Sequence, residues 1–111
     1  MIEKLFSFIE TSLFTKRVSE LLTDDEYSRL QWRLIEFPTA GDIIPGSGGI
    51  RKIRISVKGK GTRGGARVIY YFAVMRDEIF MLDIYAKNEK ADLTIQQVRE
   101  LKMLVEEWLE R

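Results

Sequence analysis

Hydrophobic and polar positions along the 111-residue chain change period several times, and each change marks an element. Lys4 to Ile9 gathers Leu5, Phe6, Phe8 and Ile9 into a run too short for a stable helix, which predicts a strand at a sheet edge. Thr11 or Ser12 can then cap a helix from about Leu13 to Leu22, in which Phe14, Val18, Leu21 and Leu22 recur near helical spacing. Thr23 to Glu26 has the form of a capping box and predicts a second helix. Tyr27, Leu30, Leu34 and Phe37 form its apolar face, and Pro38 stops it. The two helices are close enough in sequence to make a helical hairpin.

Gly41 to Gly49 reads as a loop. From Ile50 to Val57 the period falls to two, with Arg51, Ile53, Ile55 and Val57 on one side and Ile50, Lys52, Arg54 and Ser56 on the other. Lys58 to Gly65 is a basic, glycine-rich hairpin loop. Ala66 to Val74 is dense in Val, Ile, Tyr and Phe and predicts a central strand. After a turn at Arg76 and Asp77, Ile79 to Ala86 predicts the third strand of a meander. Thr94 and Gln97 form a second capping box ahead of a helix from about Ile95 to Glu110, striped by Ile95, Val98, Leu101, Val105 and Trp108. The predicted order is β-α-α-β-β-β-α. It describes one small α+β domain over residues 1–111, with the helices on one face of an antiparallel sheet.

Charge sharpens this picture. Net charge is only +1, yet from Ile43 to Arg76 there are Arg51, Lys52, Arg54, Lys58, Lys60, Arg63, Arg67 and Arg76 and no Asp or Glu. The remaining ten Lys and Arg face seventeen Asp and Glu elsewhere. Such segregation favours a polyanionic partner, most commonly a phosphate backbone. The chain has neither cysteine nor histidine, which excludes disulfides, thiolate catalysis and the commonest metal ligands and general base. No carboxylate cluster has metal spacing, so neither metal nor cofactor is expected. No apolar run approaches the roughly 18 residues needed to span a bilayer, and the first ten residues do not form a secretory signal, so a cytoplasmic protein is expected.

Within the basic stretch, Lys58 to Gly65 matches neither a P-loop nor a dinucleotide fingerprint, and by itself it is equally a solvated hairpin tip. Lys52, Arg54 and Arg67 are more informative. Lys52 and Arg54 share a strand face, and Arg67 opens the neighbouring strand. A register that sets Arg54 near Arg67 costs free energy unless an anion lies between them. Tyr70, Tyr71 and Tyr85 add aromatic surface of the kind that stacks bases, although adjacent Tyr70 and Tyr71 point to opposite faces. Trp32 and Trp108 fit core or partner contacts better than a cofactor site. Asp83 and Glu89 lie near the basic strands and can offset their repulsion.

The runs GDIIPGSGGIRKIR, GKGTRGGARVIYY and IYAKNEKADLT resemble the HigB branch of the RelE/ParE toxin superfamily, specifically its second, ribosome-dependent group. The likeness extends over essentially the whole chain. It implies a fold like that of microbial ribonucleases and a toxin of a type II toxin–antitoxin pair that cleaves messenger RNA in the ribosomal A site. It also implies a HigA-type helix-turn-helix antitoxin as partner.

Matched residue by residue, Lys52 and Arg54 fall on the two basic positions of the first meander strand, and Arg67 on the arginine that opens the next. Lys87, Asn88, Glu89 and Lys90 correspond to a basic stretch after the last strand. Thr94 stands where the family has a tyrosine, which leaves Tyr85 or Lys87 to take its place in proton transfer. The implied reaction is attack of a ribose 2′-OH on its own 3′ phosphate, giving a cyclic phosphate and a 5′-OH. Lys52, Arg54 and Arg67 could stabilise the phosphorane. Nearby cations favour a neutral amine, so Lys52 or Lys87 could act as the base. Lys58, Lys60 and Arg63 suit the RNA backbone and, with Arg51, Tyr71 and Lys90, complete the expected RNA- and ribosome-binding set. Gyrase-directed members usually lack such a dense basic strand set, which favours ribonuclease over a gyrase-directed toxin or a non-catalytic binding module.

Overall fold

Local signals set most element boundaries in the computed structural model, which describes residues 6–57 and 65–111. β1 spans Ser7–Glu10, α1 Ser12–Leu21 and α2 Asp24–Glu36. Thr11 caps α1, its hydroxyl accepting from the Phe14 N–H at 3.0 Å. Both capping boxes form: Thr23 with Glu26 opens α2, and Thr94 with Gln97 opens α3, Ile95–Leu109. The meander comprises β3 (Arg51–Ile55), β4 (Ala66–Ala73) and β5 (Glu78–Ala86). A two-residue strand, β2 (Asp42–Ile43), lies within the stretch expected to be loop.

The α+β class and the element order hold, with β2 added. The sheet has five strands in the order β1-β5-β4-β3-β2. β1 runs parallel to β5, whereas the other neighbours are antiparallel. The α1–α2 hairpin therefore carries the chain from one sheet edge to the other, and the meander brings it back.

The helices do not share a face, as the sequence reading had expected. Phe14 and Val18 of α1 and Leu30 and Leu34 of α2 pack with Ile53, Val68, Tyr70, Ile79 and Met81. Val105 of α3, flanked by Leu101 and Trp108, packs with Ile50, Ile69, Ala73, Phe80, Leu82 and Tyr85. Strand residues on opposite faces thus supply two cores, one on each side of the sheet, with the alternation in β5 reset where the β4–β5 register shifts between Ile69 and Tyr70. The meander strands are accordingly apolar on both sides, and β5 is buried from Ile79 to Tyr85. Phe37, expected on the buried face of α2, is instead 64% exposed.

Two glycine-containing turns shape the β2–β3 edge. The Tyr70 hydroxyl donates to the Pro38 carbonyl at 2.8 Å and accepts from the Gly41 N–H at 2.9 Å, tying the end of α2 to the sheet. A Cβ on Gly41 would lie 2.9 Å from the Tyr70 ring, so the close approach needs glycine. Between β2 and β3, Gly48 and Gly49 adopt φ of 75° and 105°. The Ser47 hydroxyl bridges that turn, donating to Ile44 O and accepting from Ile50 N–H. These glycines close a hairpin.

α1 seals the edge of β5 beyond the reach of β1. The Thr11 hydroxyl donates to Leu82 O at 2.8 Å and Arg17 Nε to Ile84 O at 2.6 Å. Arg17 also grips both carboxylate oxygens of Glu89, at 2.6 and 2.7 Å. Next to this clasp Asp83 is buried, accepting from the Ile84 N–H at 2.8 Å and lying 3.7 Å from Arg17. Burial pushes its carboxyl above the usual range, against the opposing pull of that N–H and of Arg17. A carboxyl with a raised folded-state pKa binds its proton more tightly folded than unfolded. Its ionisation therefore costs nothing below the ordinary carboxylate pKa, and the penalty develops as pH rises through the folded value and persists above it. Asp83→Asn keeps the acceptor for Ile84 and removes the charge. Relative to wild type it is expected to be more stable at pH 7 than at pH 3. Urea denaturation at the two pH values checks this, and an equal change at both contradicts it.

Candidate nucleic-acid interface and active site

Strand register assembles the candidate site. Arg54 of β3 lies directly opposite Arg67 of β4, and Arg67 lies opposite Tyr85 of β5. The adjacent row holds Lys52, Ile69 and Asp83. Tyr85 and Ile69 belong to the core on the α3 side, so the row Arg54–Arg67–Tyr85 presents its side chains on that face. The apolar contacts of α3 run from its middle to its end, through Leu101, Val105 and Trp108. Its first turn and the preceding segment stand instead beside the basic row.

Exposure falls along the row. Arg54 is exposed, Arg67 retains 8% of its surface, and Tyr85 is fully buried. Arg67 Nε and the Tyr85 hydroxyl are both buried and find no hydrogen-bond partner among the described residues. A buried donor left unpaired costs roughly 1–3 kcal/mol. Two such donors on cross-strand neighbours form a place where an anionic oxygen would be stabilised. Burial raises the Tyr85 phenol above its usual range, and Asp92 adds to the rise, so the hydroxyl remains a donor.

The segment between β5 and α3 frames the site. Lys90 Nζ sits over the Tyr85 ring, 4.7 Å from its centre. Lys52 Nζ donates to Asp92 Oδ1 at 2.5 Å. The hydrogen bond and charge of Lys52 hold the Asp92 carboxyl below its usual range, with smaller contributions from Arg67 and Arg54. Lys52, Arg54, Asp92, Ile43, Leu93 and Val98 line part of a cleft of about 600 Å³ between the β2–β3 edge and the start of α3.

Residues 42–111 match the family model of the RelE toxin of the RelE/RelB toxin–antitoxin system. The chain belongs to the RelE toxin family. Its fold is similar to a double mutant of the E. coli toxin RelE in the free state, with TM-score 0.55 at 14% identity over 77% of this chain and 86% of that one. The intact E. coli RelBE toxin–antitoxin complex matches with TM-score 0.54 at 17% identity, over 80% of this chain and all of that one. The isolated E. coli RelE toxin matches with TM-score 0.53 at 16% identity, over 90% and 99%. At these identities the likeness establishes the fold, while the family match makes the chain a toxin of a toxin–antitoxin system.

Measured against the sequence expectations for this RelE-family chain, the structure brings together Lys52, Arg54, Arg67, Tyr85 and Lys90. Lys87 follows β5 at the same end of the sheet, exposed, with its N–H donating to Gly65 O at 2.8 Å. Lys58, Lys60 and Arg63 lie outside the described residues. Arg51 does not join the site. It lies on the opposite face, its Nη1 donating to the Thr39 and Gly41 carbonyls at 3.2 and 2.7 Å. Tyr71 is half-buried, 5.9 Å from the Phe80 ring, and serves the core rather than a free stacking surface. Arg76 is likewise structural, donating to the Trp108, Leu109 and Arg111 carbonyls at the end of α3. Thr94, expected at the family's tyrosine position, accepts from the Gln97 N–H in the α3 cap. Glu89 offsets Arg17 rather than the basic row. The residue missed from sequence is Asp92. Its only signal was an acidic side chain just ahead of a helix cap, an ordinary position for one.

Proposed function

We propose that this toxin is a metal-independent endoribonuclease of the second HigB group, one domain acting in the cytoplasm on messenger RNA in the ribosomal A site. Its antitoxin is a HigA-type helix-turn-helix protein. The observation that carries the reading is the Arg54–Arg67–Tyr85 row, with Lys52 alongside. Like charges directly opposite on a sheet are unfavourable. Here they coincide with two buried, unpaired donors, and a phosphodiester would relieve both conditions at once.

In this reading Arg67, held by the sheet, donates to a non-bridging oxygen as negative charge develops on the phosphorane, and the Tyr85 phenol donates beside it. Arg54, exposed at the rim, supplies a second guanidinium to the phosphate. Lys87 carries no hydrogen bond or ion pair from its side chain among the described residues and is the candidate to take the 2′-OH proton. Lys52, as an ammonium, can return a proton to the leaving 5′ oxygen. The 2′ oxygen then forms the new P–O bond as the 5′ oxygen departs, so the products are a cyclic phosphate and a 5′-OH. With no histidine to drive proton transfer, the ribosome must align the message, an orientation effect that can supply several kcal/mol.

Induction of the protein followed by mapping of new 5′ ends in cellular RNA tests the reading. The expected ends fall within codons of translated messages and carry 5′-OH. Growth arrest with gyrase-trapped DNA breaks and intact messages would replace this reading with a gyrase-directed toxin. Absence of toxicity would leave a binding module.

A further inference from the structure

The basic site already holds an anion of its own. Asp92 is far from Lys52 in sequence, yet its carboxylate accepts from Nζ at 2.5 Å. Its placement is fixed from the C-terminal side: the Thr94–Gln97 capping box pins the chain two residues on. Unlike the Arg17–Glu89 clasp, this pair supports no backbone carbonyl among the described residues and lies at a cleft wall, with the Asp92 side chain 68% exposed. Most of the other charged side chains nearby stabilise the fold: Arg51 binds carbonyls of the 39–41 turn, Arg76 the end of α3, and Arg17 the edge of β5. An exposed ion pair contributes little stability, so stability alone does not account for an acid beside the basic row.

We propose that in the free toxin the Asp92 carboxylate occupies the place of an RNA phosphate on Lys52, marking a phosphate subsite that substrate must take by displacing it. A carboxylate, like a phosphodiester, presents an anionic oxygen to an ammonium, and Lys52 Nζ holds Asp92 Oδ1 in this way. Arg54 and Arg67 contribute to the field that keeps this carboxyl ionised. The device lowers the affinity of the free toxin for stray RNA while leaving the cations arrayed. Displaced, Asp92 needs only to turn into solvent, which its exposure permits at small cost. This inference rests on the site reading proposed above.

The test is equilibrium binding of a 2′-O-methyl RNA oligonucleotide, which cannot undergo 2′-OH attack. It is measured at one low salt concentration for wild type, Lys52→Ala, Asp92→Asn and the double variant. Asp92→Asn is nearly isosteric at an exposed position. It is expected to bind roughly three- to tenfold tighter, the scale of one competing surface ion pair plus one repelling charge. In the Lys52→Ala background the same change is expected to give less than about a twofold gain, because the subsite is already gone. No gain from Asp92→Asn, with Lys52→Ala still weakening binding, would overturn the inference and leave the site reading intact. An equal gain in both backgrounds would overturn it as well, reducing Asp92 to bulk charge. Unchanged binding in every variant would show that RNA does not use this face, removing the site reading and the inference with it.

Discussion

Arg67→Ala is expected to slow cleavage of a ribosome-bound message by roughly a hundred- to a thousandfold at saturating ribosomes, the loss typical of one preorganised donor to a developing anion. Binding to the ribosome should change little. The asymmetry follows from where Arg67 sits. It is flanked by β3 and β5 and nearly buried, so its guanidinium is held in place before the phosphate arrives. A mobile surface arginine would lose conformational freedom at the moment of reaction and discriminate less between ground and transition state. Arg67→Lys keeps the charge but loses the planar fork, and is expected to recover only part of the rate. Single-turnover cleavage and equilibrium binding, measured together, separate the two effects. If Arg67→Ala cleaves at the wild-type rate once saturated, Arg67 is not part of the catalytic machinery. If it is merely misfolded, both variants fail in binding as well as in rate.

Phe14→Ala should have the largest effect on stability, destabilising by roughly 3–5 kcal/mol, the usual cost of emptying an aromatic core position. Phe14 is fully buried where α1 meets the sheet, and its ring packs at 5.7 Å from that of Tyr27 in α2. It thus joins both helices of the hairpin to the sheet. A loss of this size consumes a large share of a small domain's total stability and lowers the thermal midpoint by at least about 10 °C. Urea denaturation of the purified variant measures it directly. A change below about 1 kcal/mol would mean that the helical hairpin is not anchored as described.

Much of the fold was legible because its signals are local. Thr23 with Glu26 and Thr94 with Gln97 are short-range patterns whose hydrogen bonds close within one turn, and both are present. The facing of Arg54 and Arg67 was legible for a related reason: a hairpin joins their strands, so a plausible register already brings them together. The side of the sheet that α3 covers was not legible. An apolar stripe at helical spacing fits either face, and the choice is made by the alternate residues of β4 and β5, both sets of which are apolar. The parallel pairing of β1 with β5 joins segments about seventy residues apart and leaves no local trace. Within the site, identical residue types concealed different tasks. Arg51 and Arg76 look like Arg54 in a basic run, but backbone carbonyls claim them. Asp92 gave no warning because its partner lies forty residues away.

In the proposed reaction the Arg54–Arg67–Tyr85 row is the site of 2′-OH attack on a ribosome-bound message. The most direct measurement uses purified toxin, ribosomes programmed with a defined message, and the same message carrying one 2′-deoxynucleotide at the cleaved position. Rapid cleavage of the first to a cyclic phosphate and a 5′-OH fragment is expected, with no cleavage of the second at that position. Equal cleavage of both messages, or an intact message on ribosomes saturated with toxin, would contradict it.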